Sequence, residues 1–452
     1  MAGQVQLLAS GPQERFFTLD PDYSHFVESF KKHSNFSSEY VDIKPENNDA
    51  DFGKIVRFKI PQNQGDLLKT LSVKMTLPEI IETVATMYIE SVAHALIEHV
   101  DLIIGGEVVQ RLTSDYLQIY SEQNVTQTKQ KALEQLVGKY PLQTSDRLVG
   151  EVISGGGGNT GIIINDTLGL NTEEKFFVDL PFYFHGHPEL ALPLCAINKQ
   201  EIELEFKLRK AEDLVIKGDG SYKILEETLK LKEFELCAEV VFLDCAERIK
   251  IENTPVDYLI TQLQQDVFDV GVGVNEGKFK LDFTNPVKEL YFVIQRQGSN
   301  VNAGSYSATP TIANENYQGN FVTIFDYDNT SNVQDGKFIL YENLDYLTLR
   351  LDDQDIITQD TGNPIFLKAI QAAIHHSKTQ LIRRFYSYSF ALQPEEWYPT
   401  GHINFSLIKD QILNLSLTSC PDFRRQVRVY ALSYNILRVG GGTAQTLFDT
   451  RH

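Results

Sequence analysis

The chain has 452 residues, of which 42% are hydrophobic and 23% are charged. This length exceeds what one hydrophobic core normally organises, and the composition is typical of a folded protein, so we predict two domains of roughly 200 residues each. The formal net charge of −20 would repel a phosphate backbone or an anionic membrane leaflet. Direct binding to nucleic acid or docking on a membrane surface is therefore not expected.

The targeting and redox signals favour synthesis in a reducing cytosol. The opening segment MAGQVQLLASGPQERFF lacks a basic stretch followed by an apolar run, so no secretory signal is predicted. No run of about 18 apolar residues suggests a transmembrane helix. Because they lie in apolar or strand-like stretches, the cysteines are predicted to be small buried hydrophobes without disulfide bonds. These cysteines are Cys195, Cys237, Cys245 and Cys420.

Alternation of apolar and polar residues is the main pattern of the first half. It covers residues 56–60, 71–77 and 202–208, and IELEFKL at 202–208 is its clearest example. A period of two turns one face of an extended strand toward a core and the other toward solvent or a partner. We predict antiparallel sheets, because the continuous apolar runs of parallel sheets are largely missing.

Helical spacing is confined to two inserts, at residues 110–137 and 364–381. In the second insert, apolar residues recur at three- and four-residue intervals, as at Ile370 and Ile374. We predict that both are helices set into long loops between strands.

The second half repeats the alternation at residues 347–351, 386–392 and 413–417. A domain boundary is predicted near Leu243–Pro255, where the strand-like AEVVFL gives way to the charged DCAERIKIENTP. The pattern favours two β-sandwiches in tandem, each with helical insertions.

Three polar segments, at residues 154–161, 298–316 and 326–336, are predicted to be long surface loops. The last two are our prediction for the outward-facing crown of the molecule.

Several segments, in the same order along the chain, resemble the major capsid proteins of the nucleocytoplasmic large DNA viruses, which include iridoviruses, phycodnaviruses and marseilleviruses. The strongest is DLPFYFHGHPELALPLCAINKQEIELEFKL at residues 179–208. An FLD-x-x-ER pattern runs from Phe242 to Arg248, within a block similar to the family's join between domains. The other similar blocks are residues 16–36, 94–112, 283–295, 388–408 and 427–442.

The resemblance implies an all-β fold of two tandem antiparallel eight-stranded jelly rolls, with short helical insertions in loops. We predict an N-terminal arm at residues 1–24, a first jelly roll at 25–243, a linker at 244–256 and a second jelly roll at 257–452. The implied function is structural: a homotrimer forms a pseudo-hexameric capsomer that tiles an icosahedral shell.

The resemblance also implies the partners and the location of the protein. The partners would be neighbouring capsomers and minor capsid or penton proteins. An inner membrane would be reached only through minor proteins. The location would be the outer capsid of the virion, assembled in the host cytoplasm.

Candidate binding sites in the sequence are weak. Gly155–Gly158 lacks the lysine and hydroxyl residue of a phosphate-binding loop, and a flexible loop is the better interpretation. His185, His187 and Glu189 could hold a metal ion, but nothing nearby completes a set of three or four ligands. His375 and His376, in the second helical insert, are interpreted as surface or packing residues.

The segment Asp326–Gly336 superficially resembles a calcium loop. It lacks glycine at the sixth place and has Lys337 at the twelfth, although a loop-borne cation at Asp326, Asp328 and Asp335 remains open. We therefore predict no metal and no cofactor.

Glu395 and Glu396 beside Trp397 raise an alternative function, a carbohydrate-binding protein or glycoside hydrolase with a β-sandwich fold. Adjacent carboxylates on an extended chain usually point apart, whereas retaining hydrolysis needs two facing carboxyl groups about 5 Å from each other. Trp397 is the only tryptophan, a poor platform for sugars. No nucleophile elbow or convincing catalytic triad is visible, so we predict no catalytic residues and no enzymatic activity.

Overall fold

A computed structural model of the chain describes residues 2–9, 11–27, 30–46, 49–80, 86–89, 91–138, 173–217, 229–297, 324–325, 327, 331–334, 337–340, 342–379, 385–419 and 424–449. Two compact units are present, Met1–Phe36 and Ser37–His452. The first unit contains helices α1 (Ala2–Leu8) and α2 (Arg15–Thr18). Several of its large apolar side chains, including Phe16 and Phe26, are exposed.

The second unit contains nearly all of the β-structure. Its first half comprises β1 (Phe36–Ile43, which begins one residue before the unit), β2 (Ile55–Lys59), β3 (Leu67–Leu77), β4 (Thr86–Tyr88), β5 (Ile97–Ile104), β6 (Glu107–Thr113), β7 (Glu174–Asp179), β8 (Leu192–Pro193), β9 (Ile202–Leu208), β10 (Val215–Lys217) and β11 (Glu233–Leu243).

Its second half comprises β12 (Val256–Val270), β13 (Glu276–Lys280), β14 (Pro286–Gln297), β15 (Ser331–Gln334), β16 (Lys337–Leu340), β17 (Leu344–Leu351), β18 (Gln354–Ile357), β19 (Tyr386–Ser389), β20 (Ile403–Asn404), β21 (Gln411–Leu417), β22 (Arg424–Gly440) and β23 (Thr443–Thr446).

The two halves share one topology. In the first, the strand orders are β1-β11-β3-β7 and β2-β9-β5-β6; in the second they are β12-β22-β14-β19 and β13-β21-β17-β18. Matching strands by their order in the chain makes the two pairs of sheets equivalent. Even the short β8, which pairs with β3, has its counterpart in β20, which pairs with β14. Each half is therefore an eight-stranded antiparallel jelly roll, as predicted. We call β1–β11 the first roll and β12–β23 the second roll.

Buried side chains form two clusters. One, with Phe292 and Leu415 among its members, lies inside the second roll. The other fills the first roll and continues into residues of the second, among them Tyr291 and Val293. Since Tyr291 and Val293 alternate with Phe292 along β14, this strand is buried on both faces. The sheet β12-β22-β14-β19 is therefore the layer shared by both rolls.

Helices lie between strands. They are α3 (Val92–Leu96), α4 (Ser114–Gln123), α5 (Gln130–Val137), α6 (Cys245–Asn253) and α7 (Gln371–His375), which follows a π-helical turn at Phe366–Ile370. Short 3-10 turns occur at Gln127–Lys129, Pro188–Leu190, Leu194–Ala196, Ala211–Asp213 and Phe405–Leu407.

Both predicted inserts are helical, with corrections at their boundaries. The second insert was predicted as a helix over residues 364–381, but its described helix ends at His375. The first helix begins at Ser114 and not at residue 110, because 110–113 continue strand β6. Thr113 sets this start: its hydroxyl oxygen accepts a hydrogen bond from the Tyr116 amide at 3.3 Å, a typical N-cap.

Another correction concerns the cysteines. Cys195 is buried and Cys237 is partly buried, but Cys245 is exposed where α6 begins. The prediction of a buried Cys245 was wrong, because the charged segment around it forms a surface helix. Cys420 and the loops at 154–161 and 298–316 lie outside the described residues.

Candidate functional site

The seam between the two rolls is built around helix α4 of the first roll. This helix follows strand β6, and all its residues except Tyr120 are buried. Its N-terminal turn carries Asp115, which is only 4% exposed. A buried carboxylate needs paired charge or hydrogen bonds to be tolerated, so its partners identify the contact.

Those partners come from the second roll. Arg428 donates to Asp115 through Nε at 2.6 Å and through its terminal nitrogen at 3.3 Å. The hydroxyl of Tyr430 donates to Asp115 Oδ2 at 2.5 Å, and that of Tyr327 donates to Asp115 Oδ1 at 2.7 Å. One carboxylate of the first roll is thus held by three side chains of the second.

The electrostatics of this cluster favour a permanent ion pair. Burial alone would raise the pKa of Asp115, but Arg428 and the two tyrosine hydroxyls outweigh burial and lower it. For Arg428, burial would lower the pKa, yet Asp115 raises it well above its usual value. Both groups therefore stay charged across the ordinary pH range.

Other hydrogen bonds extend the seam along α4 and β6. The Gln123 amide donates to the Ser387 hydroxyl at 3.2 Å, and the backbone amide of Lys378 donates to the Gln123 carbonyl at 3.1 Å. Gln262 of β12 donates to the Val109 carbonyl at 2.6 Å. Because these contacts reach backbone as well as side chains, they fix the orientation of the rolls.

The hairpin of β22 and β23 closes the seam at another point. Gly442 lies at its tip with a φ of +90°, and its carbonyl accepts from the Lys199 amide at 3.0 Å. The Ala444 amide donates to Gln200 at 2.7 Å. A Cβ atom at Gly442 would lie 2.4 Å from the Asn198 side chain, so glycine permits this close approach.

A second buried polar cluster lies on the second roll. His376 Nε2 is 2.6 Å from Glu289 of β14, and His376 Nδ1 is 3.4 Å from Glu395. The side chains of His376 and Glu289 are each 1% exposed. Burial would lower the pKa of His376, but Glu289 and Glu395 raise it to about 9, so the imidazole is protonated at neutral pH.

Lys288 lies beside this cluster. Its ammonium donates to the Pro394 carbonyl at 2.7 Å and lies 5.5 Å from the centre of the Tyr434 ring. Burial lowers its pKa to about 8. The cluster therefore joins β14, the helical insert and the loop at 390–397 through groups that titrate in the mildly alkaline range.

A cavity of about 90 Å³ opens between the rolls beside this cluster. Its lining includes Tyr183, His185, Glu289 and Trp397. Within the described part of the chain, the Tyr183 hydroxyl and His185 Nδ1 have no hydrogen-bond partner. A polar cavity of this size has room for water that could satisfy both groups.

The residues singled out in the sequence are only partly brought together. His185 packs edge-to-face on Tyr120, and Glu189 is exposed. Among the described residues, no group of three or more His, Cys, Asp or Glu side chains is arranged to hold a metal ion. Gly155–Gly158, Asp326, Asp328 and Asp335 lie outside the described ranges.

The carboxylates considered for sugar chemistry have other partners. Glu395 pairs with His376 and accepts hydrogen bonds from the amide and the hydroxyl of Ser377. Trp397 packs edge-to-face on Tyr398 with ring centres 5.8 Å apart. Glu395 is thus held in an ion pair, which does not favour the carbohydrate interpretation.

Sequence reasoning missed the residues of the seam. Asp115 and Arg428 are separated by 313 positions and carry no motif. His376 was interpreted as a surface or packing residue, but it is a buried charged one. The only sequence signal for the seam is Asp115, an acidic residue in the first turn of a predicted helix. Ordinary exposed helices also have acidic residues there, so the signal is not specific.

Two jelly rolls of one topology, fixed to each other by buried polar contacts, define a double jelly-roll protein. A family model for the N-terminus of the major capsid protein matches residues 24–244, and one for the large eukaryotic DNA virus major capsid protein matches residues 247–445. The chain belongs to this family of major capsid proteins of large eukaryotic DNA viruses.

Individual relatives agree with this assignment. The major capsid protein of Phaeocystis pouchetii virus is 27% identical over 518 residues, covering 97% of this chain and 98% of that protein. That of Paramecium bursaria Chlorella virus 1 is 25% identical over 480 residues, covering 98% of each. The solved PBCV-1 virus capsid structure shares the fold with a TM-score of 0.71 and 21% identity, covering 94% of this chain and all of that chain.

Proposed function

We propose that this chain builds the outer shell of a large DNA virus as a homotrimer. Three chains would place six jelly rolls around one axis, so that the trimer imitates a hexamer and tiles a closed icosahedral surface. The observation that supports this proposal best is that the two rolls share one strand order. A cyclic arrangement is the usual way for identical subunits to form a closed assembly.

The seam suits this mechanical role. A tile keeps its shape only if its two rolls cannot pivot, and the Asp115 cluster and the Gly442 hairpin both oppose pivoting. The proposed boundaries are an arm at 1–24, rolls at 25–243 and 257–452, and a linker at 244–256, where helix α6 lies. This role requires no catalysis and no cofactor.

The proposed partners are neighbouring capsomers and minor capsid or penton proteins, with assembly in the host cytoplasm. No helix among the described residues is long and apolar enough to cross a membrane. Any inner membrane would be contacted through minor proteins, and no direct contact with the genome is proposed.

Light scattering of the purified protein tests this proposal. We expect a mass near three times 51.3 kDa that persists on dilution, and hexagonal outlines in negative-stain images. A stable monomer at micromolar concentration would contradict the trimer.

A further inference from the structure

The helical insert of the second roll presents an apolar surface to solvent. It lies between β18 and β19 and comprises the π-helical turn and α7. Ile365 is 73% exposed and Ile374 is 66% exposed. The exposed residues from 364 to 375 are all isoleucine or alanine: Ile365, Ala369, Ile370, Ala373 and Ile374. We call this surface the helix face.

The π-helical turn explains why these residues share one side. A π-turn accommodates one residue more than an α-turn, so Ile365 and Ile370, five positions apart, come into line. Ile374 follows four positions later, one α-helical turn further. A continuous exposed apolar surface is an interaction site more often than ordinary protein surface is.

The first roll shows what such an insert contacts. Its insert, α4, occupies the equivalent place between β6 and β7, yet its Leu117 and Ile119 are 2% and 0% exposed. Helix α4 is covered by the outer side of the second roll's shared sheet, through Arg428, Tyr430 and the ring of Tyr291. The two inserts thus differ in whether a neighbouring roll covers them.

The equivalent receiving surface on the first roll is uncovered. It is the outer side of β1-β11-β3-β7, where Tyr40 is 69% exposed and Phe177 is 36% exposed. Phe177 alternates along β7 with the buried Phe176 and Val178, so it points away from the core. We call this surface the sheet face.

Two lysines and a glutamate of the sheet face are already paired with each other. Lys74 Nζ lies 2.8 Å from Glu233, and Lys175 Nζ lies 3.0 Å from the same carboxylate. Apolar side chains can cover these three groups without leaving any of them unpaired, which would otherwise be costly.

We propose that the helix face packs on the sheet face of a second copy of this chain, repeating between chains the contact that α4 makes within one. The contact is heterologous, so it closes a ring of three chains if three such rotations make one full turn. This inference rests on the proposed trimer and names the surfaces that hold it together.

Paired variants test the proposal. Ile365→Asp/Ile374→Asp damages only the helix face, and Tyr40→Asp/Phe177→Asp damages only the sheet face. We expect each variant alone to be a monomer near 51.3 kDa by light scattering. An equimolar mixture should form a complex of twice that mass, because one intact face of each kind remains and no ring can close.

Leu407→Asp is the matched control. Leu407 is 77% exposed on a 3-10 turn outside both faces, so this variant should keep the mass of the unaltered protein. Circular dichroism melting checks that each variant is folded. If an aspartate variant is unfolded, the milder variant Ile365→Ser/Ile374→Ser replaces it. Its trimer should dissociate at a higher protein concentration than the trimer of the unaltered protein.

The outcomes separate the two proposals. An unaltered protein that is monomeric overturns the proposed trimer. A trimeric unaltered protein whose helix-face variants, including the serine variant, remain equally stable trimers overturns the assignment of the interface alone. Folded monomeric variants that form no complex when mixed also overturn the assignment of the interface.

Discussion

The two buried polar clusters of this protein hold different parts of it together by different means. In the Asp115 cluster, a carboxylate of one roll is held by an arginine and two tyrosines of the other. In the His376 cluster, an imidazole of the second roll lies between two carboxylates of that same roll. The first cluster uses groups that keep their charge near neutral pH, whereas the second depends on a proton that can be lost. The orientation of the rolls is therefore insensitive to pH, while the anchoring of the helical insert is not.

Removing Asp115 should have the largest effect. Asp115→Ala leaves Arg428 buried without its partner, and we expect the free energy of unfolding to fall by about 3–5 kcal/mol. Urea unfolding followed by circular dichroism, at a fixed protein concentration because association adds to stability, measures the change. A loss below about 1 kcal/mol would mean that the cluster does not hold the rolls together.

A smaller, pH-dependent effect is expected for His376→Gln. The pKa of His376 rises from 6.5 to about 9 on folding, so the stabilisation is complete below pH 6.5 and is lost as pH rises through 9. The difference in Tm between the unaltered protein and the variant should therefore shrink steadily between these pH values. Lys288, whose pKa burial lowers to about 8, also loses its charge in this pH range in both proteins.

Thermal melts of the two proteins at several pH values measure this difference. A gap in Tm that stays constant from neutral to strongly alkaline pH would show that the imidazole acts only through packing or uncharged hydrogen bonds.

The smallest effect should follow from a pair at the surface. Arg438 donates to Asp257 at 2.7 and 2.8 Å, but the side chains are 50% and 46% exposed. We expect Arg438→Ala to lower the free energy of unfolding only slightly, and less at high salt, because solvent screens the pair. Urea unfolding at low and high salt gives the comparison with Asp115→Ala. If Arg438→Ala lowered the free energy of unfolding as much as Asp115→Ala does, burial would not explain why the two ion pairs differ.

Much of the fold could be predicted where a strand is buried on one face only. Ile202–Leu208 alternates regularly because its two faces meet different environments, and it is strand β9 in the structure. The alternation weakens in β14, where the run from Val287 to Ile294 is buried throughout. That loss of period is the sequence signal of a sheet shared between two rolls.

The internal repeat was harder to detect. The segments leading into β9 and β21 each contain a two-residue strand and then a 3-10 turn, at Leu192–Ala196 and at Ile403–Leu407. Their sequences, LPLCA and INFSL, share no residue at equivalent positions. A jelly roll needs apolar residues of suitable size at these places, and many combinations satisfy that need. The equivalence is therefore visible in the topology and not in the sequence.

The shared sheet also affects the order in which the two rolls fold. On leaving the ribosome the first roll appears before the second, and its outer sheet surface, with Lys74 and Glu233 paired, is already suited to water. The second roll emerges with Tyr291, Val293 and Leu432 on its outer surface, all buried only in the finished molecule. We therefore expect the C-terminal half to complete its folding when this surface packs against the N-terminal half. A second roll made by itself would expose this apolar surface to solvent and is expected to aggregate.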